Sequence, residues 1–160
     1  MGIVSGGDDA PFAASTARVH RSNRTDLATL LDLIREFNRV DRHAHDEDRV
    51  RQSLIPLLEG DEFGQVWQIS TSDGAQGYCV IGWSYSLESG GRECIVDEIF
   101  VTERGRGLGA ELLEGALRGA RDAGVKVVFL ETEAHNGRVR AFYQRHGFAV
   151  EDSIWMRRVL

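Results

Sequence analysis

Residues 94–130 constrain the fold more than any other part of the chain. They open with a run of β-formers, CIVDEIFV, interrupted by two adjacent acids, Asp97 and Glu98. An arginine- and glycine-rich turn follows: Arg104-Gly105-Arg106-Gly107-Leu108-Gly109-Ala110. Leu108, Leu112, Ala116, Leu117 and Ala120 then recur at helical spacing, and Gly124 sits where a C-cap belongs. Residues 125–130 are a continuous apolar run, which predicts a strand buried on both faces. Strand, helix and strand joined this closely demand a parallel, right-handed crossover. The turn before the helix also suits phosphate. Glycine lets the backbone approach a ligand, the first amides of a helix have no internal partners, and arginines match phosphate oxygens.

The rest of the chain is arranged around this unit. Residues 1–16 are small, polar and glycine-rich and predict a disordered tail, which leaves residues 17–160 as one domain. A first strand is expected over 17–21. Thr25 or Asp26 is placed to cap a helix whose stripe is Leu27, Leu30, Leu31, Ile34 and Phe37 and which ends near Val40. The loop DRHAHDED, residues 41–48, holds His43 and His45. At i, i+2 they share a face only on a strand, and no third ligand lies near, so a solvated loop outweighs a metal site. A second helix is expected from Glu47 to Leu58, with an end or kink near Ile55 ahead of Pro56. Strands over 63–70 and 77–86 flank a hairpin with Asp73-Gly74 at its tip, and a turn spans 87–92. Beyond the crossover, Asn136 caps and Gly147 stops a short helix, and 148–150 and 153–159 read as final strands. The sum is an α/β domain of mixed α+β character, with a mixed six- to seven-stranded sheet, helices on both faces and one βαβ crossover.

Charge narrows the partners. A formal net charge of −6 and a pI of about 5.4 argue against nucleic acid and anionic membrane, and favour a cationic ligand. No apolar run approaches the ~20 residues that span a bilayer. Cys79 and Cys94 lie in apolar, strand-like runs and read as buried free thiols without metal spacing, as expected of a cytoplasmic protein. No metal is expected.

Three phosphate ligands compete for the glycine turn. A nucleotide triphosphate P-loop needs a lysine that is absent here. A dinucleotide fingerprint is matched literally by Gly105-x-Gly107-x-x-Ala110, with Glu131 near the position of a ribose-binding acid. Yet such a unit usually opens its domain and is followed by further βα units, whereas most of this chain precedes it. The third reading uses two motifs in order. Arg104-x-x-Gly107-x-Gly109 resembles the pyrophosphate loop of the GNAT superfamily of acetyl-CoA-dependent N-acetyltransferases. Asn136 to Phe148, NGRVRAFYQRHGF, is similar to that family's N-x-x-A-x-x-[LF]-Y-x-x-x-G-F segment, with Val139 in place of the commoner alanine. The order of elements from residue 17 onward agrees as well.

The resemblance implies a role for each of these residues. Arg104, Gly105, Arg106, Gly107, Leu108, Gly109 and Ala110 would cradle the pyrophosphate of acetyl-CoA, mainly through backbone amides. Ile99, Phe100 and Val101 would lie on a bulged strand edge that pairs with pantetheine, and an amide at Ile99 or Phe100 would polarise the acetyl carbonyl. Asn136, Arg138 and Tyr143 would contact the cofactor. Tyr143 would be the general acid to the departing thiolate, and Asp97 or Glu98 the base that relieves the acceptor ammonium of its proton. Because neighbours on a strand alternate sides, only one of the two acids is expected to face the acceptor. A weaker likeness to diamine- and spermidine-type acetyltransferases adds His43, Trp83, Tyr85 and Glu88 as acceptor-side residues. The expected reaction is direct transfer to a small-molecule primary amine in a ternary complex, by a homodimer on family habit. A GNAT-fold module that binds acyl-CoA without turnover is the alternative of a different class.

Overall fold

The computed structural model describes residues 17–160; the tail expected over 1–16 lies outside the described residues. The elements in order are β1 (Arg18–Arg21), a 3-10 turn (Arg24–Asp26), α1 (Leu27–Asp41), α2 (Glu47–Glu59), β2 (Gly64–Thr71), β3 (Gly74–Ser86), β4 (Gly91–Val101), α3 (Leu108–Asp122), β5 (Val127–Leu130) and α4 (Gly137–Arg145). One sheet of five strands runs β1-β2-β3-β4-β5. The first four pair antiparallel, and β4 pairs β5 in parallel, as the crossover through α3 requires. One parallel pair does not make a doubly wound domain, so the dinucleotide reading of the glycine turn falls.

The sheet separates two cores. Leu30, Leu31, Ile34, Leu54 and Leu58 of α1 and α2 pack with Val66, Tyr78, Val80 and Phe100 on one face. Leu108, Leu112, Leu113, Ala116 and Ala120 of α3 pack with Ile69, Cys79, Ile81, Cys94 and Tyr143 on the other. Each fully buried leucine contributes about 1.5–3 kcal/mol, so the stripes read from the sequence are what hold the helices down. α3 lies unusually close to the sheet. A Cβ added at Gly119 would stand 2.1 Å from the Trp67 ring, which is why mid-helix glycine is tolerated there despite its entropic cost.

Several local expectations change. Asn23 caps the 3-10 turn ahead of α1: its Oδ1 accepts from the Thr25 amide at 2.9 Å while Asp26 accepts from the Asn23 amide at 2.9 Å. Asp26 stands at the N-cap position of α1, as one of the two expected residues, but its side chain bonds back to Asn23 instead of capping α1, and Thr25 lies inside the 3-10 turn. α2 runs through Pro56 to Glu59. Leu54 and Leu58, buried on either side of it, hold the last turn against the loss of one hydrogen bond. Ser72 and Asp73 form the hairpin tip, with Gly74 already paired to Thr71. β5 is an edge strand with all four residues half-buried, since among the described residues no further strand joins it. Residues 148–160 contain no strand, so among the described residues the sheet has five strands rather than six or seven. Ile154 and Met156 are both more than nine-tenths exposed. The apolar triplet Ile154-Trp155-Met156 followed by two arginines has no alternation to match a sheet face, and strand propensity without a packed face is a weak force.

Candidate active site

The site grows from one irregularity in β4. Val80 of β3 pairs with Glu98, but the next residue, Ile81, pairs with Val96. Asp97 is therefore the extra residue of a β-bulge. Cys94 and Val96 face the α3 core, and beyond the bulge Phe100 faces the α1–α2 core instead. The bulge defeats the alternation expected of a regular strand. Asp97 and Glu98 both line one cavity of about 270 Å³ between α1, α2 and β4, together with Asn38, Arg49, Ser53 and Val80.

The same bulge opens a slot. β5 pairs only with Glu93, Cys94, Ile95 and Val96. From Asp97 to Val101, the β4 edge facing away from β3 has no strand beside it among the described residues. Ile99, Phe100 and Val101 thus present an unpaired strand edge, which is a template for an extended ligand.

That edge leads into the glycine turn. Gly105 and Gly107 hold φ of 87° and 78°, a left-handed conformation that suits glycine, and Gly107 caps α3. The amides of Ala110 and Glu111 donate to the Gly107 carbonyl at 3.0 and 3.1 Å. Among the described residues the amides of Gly105, Arg106, Gly107, Leu108 and Gly109 have no acceptor. They are the orphan donors of a helix N-terminus. Arg106 is ion-paired to Glu103, whereas Arg104 has no ion-pair partner among the described residues. Ala110, expected among the cradle amides, is already engaged.

α4 packs beside this turn. Asn136 caps it, accepting from the Val139 amide at 3.2 Å, which leaves the side-chain NH₂ without a partner among the described residues. Phe142 reaches Gly109, its Cζ 4.0 Å from where a Cβ would stand. Tyr143 is buried against Phe142 and Phe148, with ring centroids 5.2 and 5.6 Å away. Its hydroxyl makes no hydrogen bond among the described residues. Burial pushes its pKa up to about 12, so the phenol stays protonated at neutral pH.

Glu98 is tuned in the same direction, which for a carboxyl strengthens the base. Burial raises its pKa, and the neighbouring Asp97 adds to this; a hydrogen bond from Tyr78 and the nearby His43 oppose it. A carboxyl poised above the usual range is a better proton acceptor near neutral pH. Tyr78 was not foreseen, nor were Asn38, Arg49 and Ser53. A tyrosine inside an apolar strand is the signal that was there to read, since its buried hydroxyl needs an acceptor.

The acceptor-side residues divide. His43 is exposed, pairs with Asp41 at 3.3 Å and lies near enough to Glu98 to influence it. Trp83, Tyr85 and Glu88 are not brought to the acids. Tyr85 pairs with Arg92 at the far end of the hairpin, roughly 16 Å along β3 from the partner of Glu98. The Trp83 indole donates to the Asp61 carbonyl at 2.8 Å, and the chain's own Arg92 covers its ring at 5.5 Å. Among the described residues no group of His, Cys, Asp and Glu is arranged to hold a metal, and no helix is long and apolar enough to cross a membrane.

Comparison with known proteins agrees with this geometry. Residues 27–148 match the Acetyltransferase (GNAT) family. An uncharacterized N-acetyltransferase of Bacillus subtilis (strain 168), YhfO, is 28% identical over 133 residues, covering 81% of this chain and 88% of that protein. The integron cassette protein HFX_CASS3, from the mobile metagenome of Cole Harbour Salt Marsh, superposes with a TM-score of 0.80 at 29% identity, over 89% of this chain and 90% of its own. The aminoglycoside N-acetyltransferase AAC(6')-Iy, solved in complex with CoA, gives a TM-score of 0.78 at 18% identity, over 94% and 98% of the two chains. At that identity the likeness concerns the fold alone.

Proposed function

The chain belongs to the Acetyltransferase (GNAT) family, and from that premise we propose that it transfers the acetyl group of acetyl-CoA directly to a primary amine of a small cationic molecule, in one ternary complex. One observation carries this reading: a single bulge both frees the edge of Ile99, Phe100 and Val101 and turns two carboxylates into the cavity behind it.

Acetyl-CoA supplies an activated thioester. Arg104 and the free amides from Gly105 to Gly109 suit its pyrophosphate, in number and in charge. Arg138, exposed in the first turn of α4, is a further cation for the phosphates. The free NH₂ of Asn136 and the edge amides of β4 suit the amides of pantetheine. An edge amide at Ile99 or Phe100 polarises the acetyl carbonyl.

An amine with a pKa near ~10 arrives protonated. Asp97 holds that cation, His43 borders its entry, and Glu98 takes its proton; the raised pKa of Glu98 favours it as the base. The amine lone pair then forms a bond to the acetyl carbon as the carbon–sulfur bond breaks. Tyr143, unpaired and protonated, gives its proton to the departing sulfur, and the new amide nitrogen gives up its second proton, which restores the phenol through solvent, so that the proton on Glu98 is the net release. Glu98 lines the α1–α2 face and Tyr143 belongs to the α3 core, so the two proton carriers approach the slot from opposite faces of the sheet.

The test is release of free thiol from acetyl-CoA with polyamines, aminoglycosides, amino acids and peptides as acceptors. Release that depends on a cationic amine supports the proposal. Tight acetyl-CoA binding with no release for any amine would favour the non-catalytic module instead.

A further inference from the structure

Tyr78 takes no part in the reaction as drawn, yet its hydroxyl donates to Glu98 Oε2 at 2.8 Å. The side chain has no solvent exposure. Its ring is fixed edge-on to Phe37, at 6.4 Å between centroids, and tilted against Phe100 at 6.2 Å. Strand pairing sets Phe100 directly opposite Tyr78 and Glu98 opposite Val80, so the phenol reaches diagonally across the ladder. It can do so only because the bulge at Asp97 turns Glu98 onto this face. Glu98 Oε1 receives no hydrogen bond from any described residue.

We propose that Tyr78 is a positioning residue for the acetyl transfer, holding the Glu98 carboxylate by Oε2 so that Oε1 is presented to the acceptor amine. The inference rests on the reading of Glu98 as the base. A carboxylate on a flexible side chain would otherwise sample several rotamers, and the rigid phenol selects one. A donor to the carboxylate also favours its charged form. The other groups facing Glu98 are Asp97 on β4, His43 on the loop after α1 and Arg49 on α2. Asp97 opposes ionisation and His43 supports it. Tyr78 is the one that hydrogen-bonds the carboxylate.

The experiment replaces the hydroxyl and keeps the ring, Tyr78→Phe, and follows the Glu98 carboxyl by carbon-13 NMR across pH. This readout needs no acceptor. The Glu98 titration is expected to move up by about one pH unit. With an active acceptor the acidic limb of kcat/KM should move up with it, and kcat/KM should fall on the order of tenfold through lost orientation. Acetyl-CoA affinity should stay as it was. If Tyr78→Phe does not fold, 3-fluorotyrosine at position 78 keeps the hydroxyl and makes it a stronger donor, and the titration should then move down. An unmoved titration with either replacement overturns the inference. Glu98→Gln separates the two levels: wild-type turnover in that variant overturns both the base and Tyr78's role, whereas slow Glu98→Gln beside an unmoved Tyr78→Phe titration overturns the positioning role alone.

Discussion

Asp97 and Glu98 are chain neighbours on one strand, yet both line the same cavity, because Asp97 has no partner on β3. Val80 and Ile81 are consecutive and pair with Glu98 and Val96. Deleting Asp97 therefore leaves two consecutive residues opposite two, a regular ladder with no break in register. The deletion variant should fold, with a circular dichroism spectrum like the parent's, because the pairing on both sides is conserved. It should lose acetyl transfer by at least ~10²-fold, since the bend that separates β4 from β5 goes with the bulge, and so does the carboxylate that holds the ammonium, while Glu98 keeps its face. A deletion variant that folds and retains full turnover would remove the bulge from the mechanism.

Glu98 sets stability against function. Its folded-state pKa is raised, burial being the largest cause. Relative to a free glutamate, the stability it contributes is present below the ordinary carboxylate pKa and is lost as pH rises through the folded value. Glutamine, neutral at every pH, escapes that loss. Glu98→Gln should melt higher than the parent at pH 8, by on the order of 2 °C, and the gap should close by about pH 4. Turnover of the same variant should fall by ~10²-fold or more. Paired calorimetric melts at the two pH values check the sign.

The two arginines of the glycine turn should differ. Arg106 already spends its charge on Glu103, while Arg104 has no ion-pair partner among the described residues. Arg104→Ala should weaken acetyl-CoA binding about tenfold in isothermal titration, the order expected for one charge-assisted contact. Arg106→Ala should cost less. Equal losses would mean that the turn acts as a general positive surface rather than through one side chain.

What the sequence disclosed, and what it hid, follows the range of the interactions. The stripes Leu30-Leu31-Ile34 and Leu112-Ala116-Ala120 are local periodicities, and both helices lie where they predict. The turn from Arg104 to Gly109 declares itself through glycines that hold positive φ at 105 and 107. The bulge does not declare itself. Nothing in CIVDEIFV marks Asp97 as the skipped residue, because a bulge is a property of two strands pairing and not of one. Strict alternation consequently sent one of the two acids to the wrong side. The Tyr78–Glu98 bond was invisible for the same reason, being set by the register across β3 and β4. Trp83, Tyr85 and Glu88 looked close to the acids in the sequence, but a long hairpin carries them to its far end. At the C-terminus an apolar triplet suggested a strand where no sheet face receives one.

Tyr143 is the residue at which a loss of function can be read without a loss of fold. Its hydroxyl has no hydrogen-bond partner among the described residues, so removing it should cost little stability, and the ring contacts with Phe142 and Phe148 survive in phenylalanine. Tyr143→Phe should melt within a degree or two of the parent, bind acetyl-CoA equally well and turn over ~10²-fold more slowly. The pH profile supplies a second check. A phenol with its pKa pushed up to about 12 remains a proton donor throughout the accessible alkaline range, so the parent's kcat should show no basic limb below roughly pH 11 from this group. Replacing Tyr143 by 3-fluorotyrosine makes the phenol more acidic, and a basic limb should then enter at lower pH. A limb unmoved by fluorination, or an unchanged kcat in Tyr143→Phe, would take the role of acid away from Tyr143 and leave it as a packing residue of the α3 core.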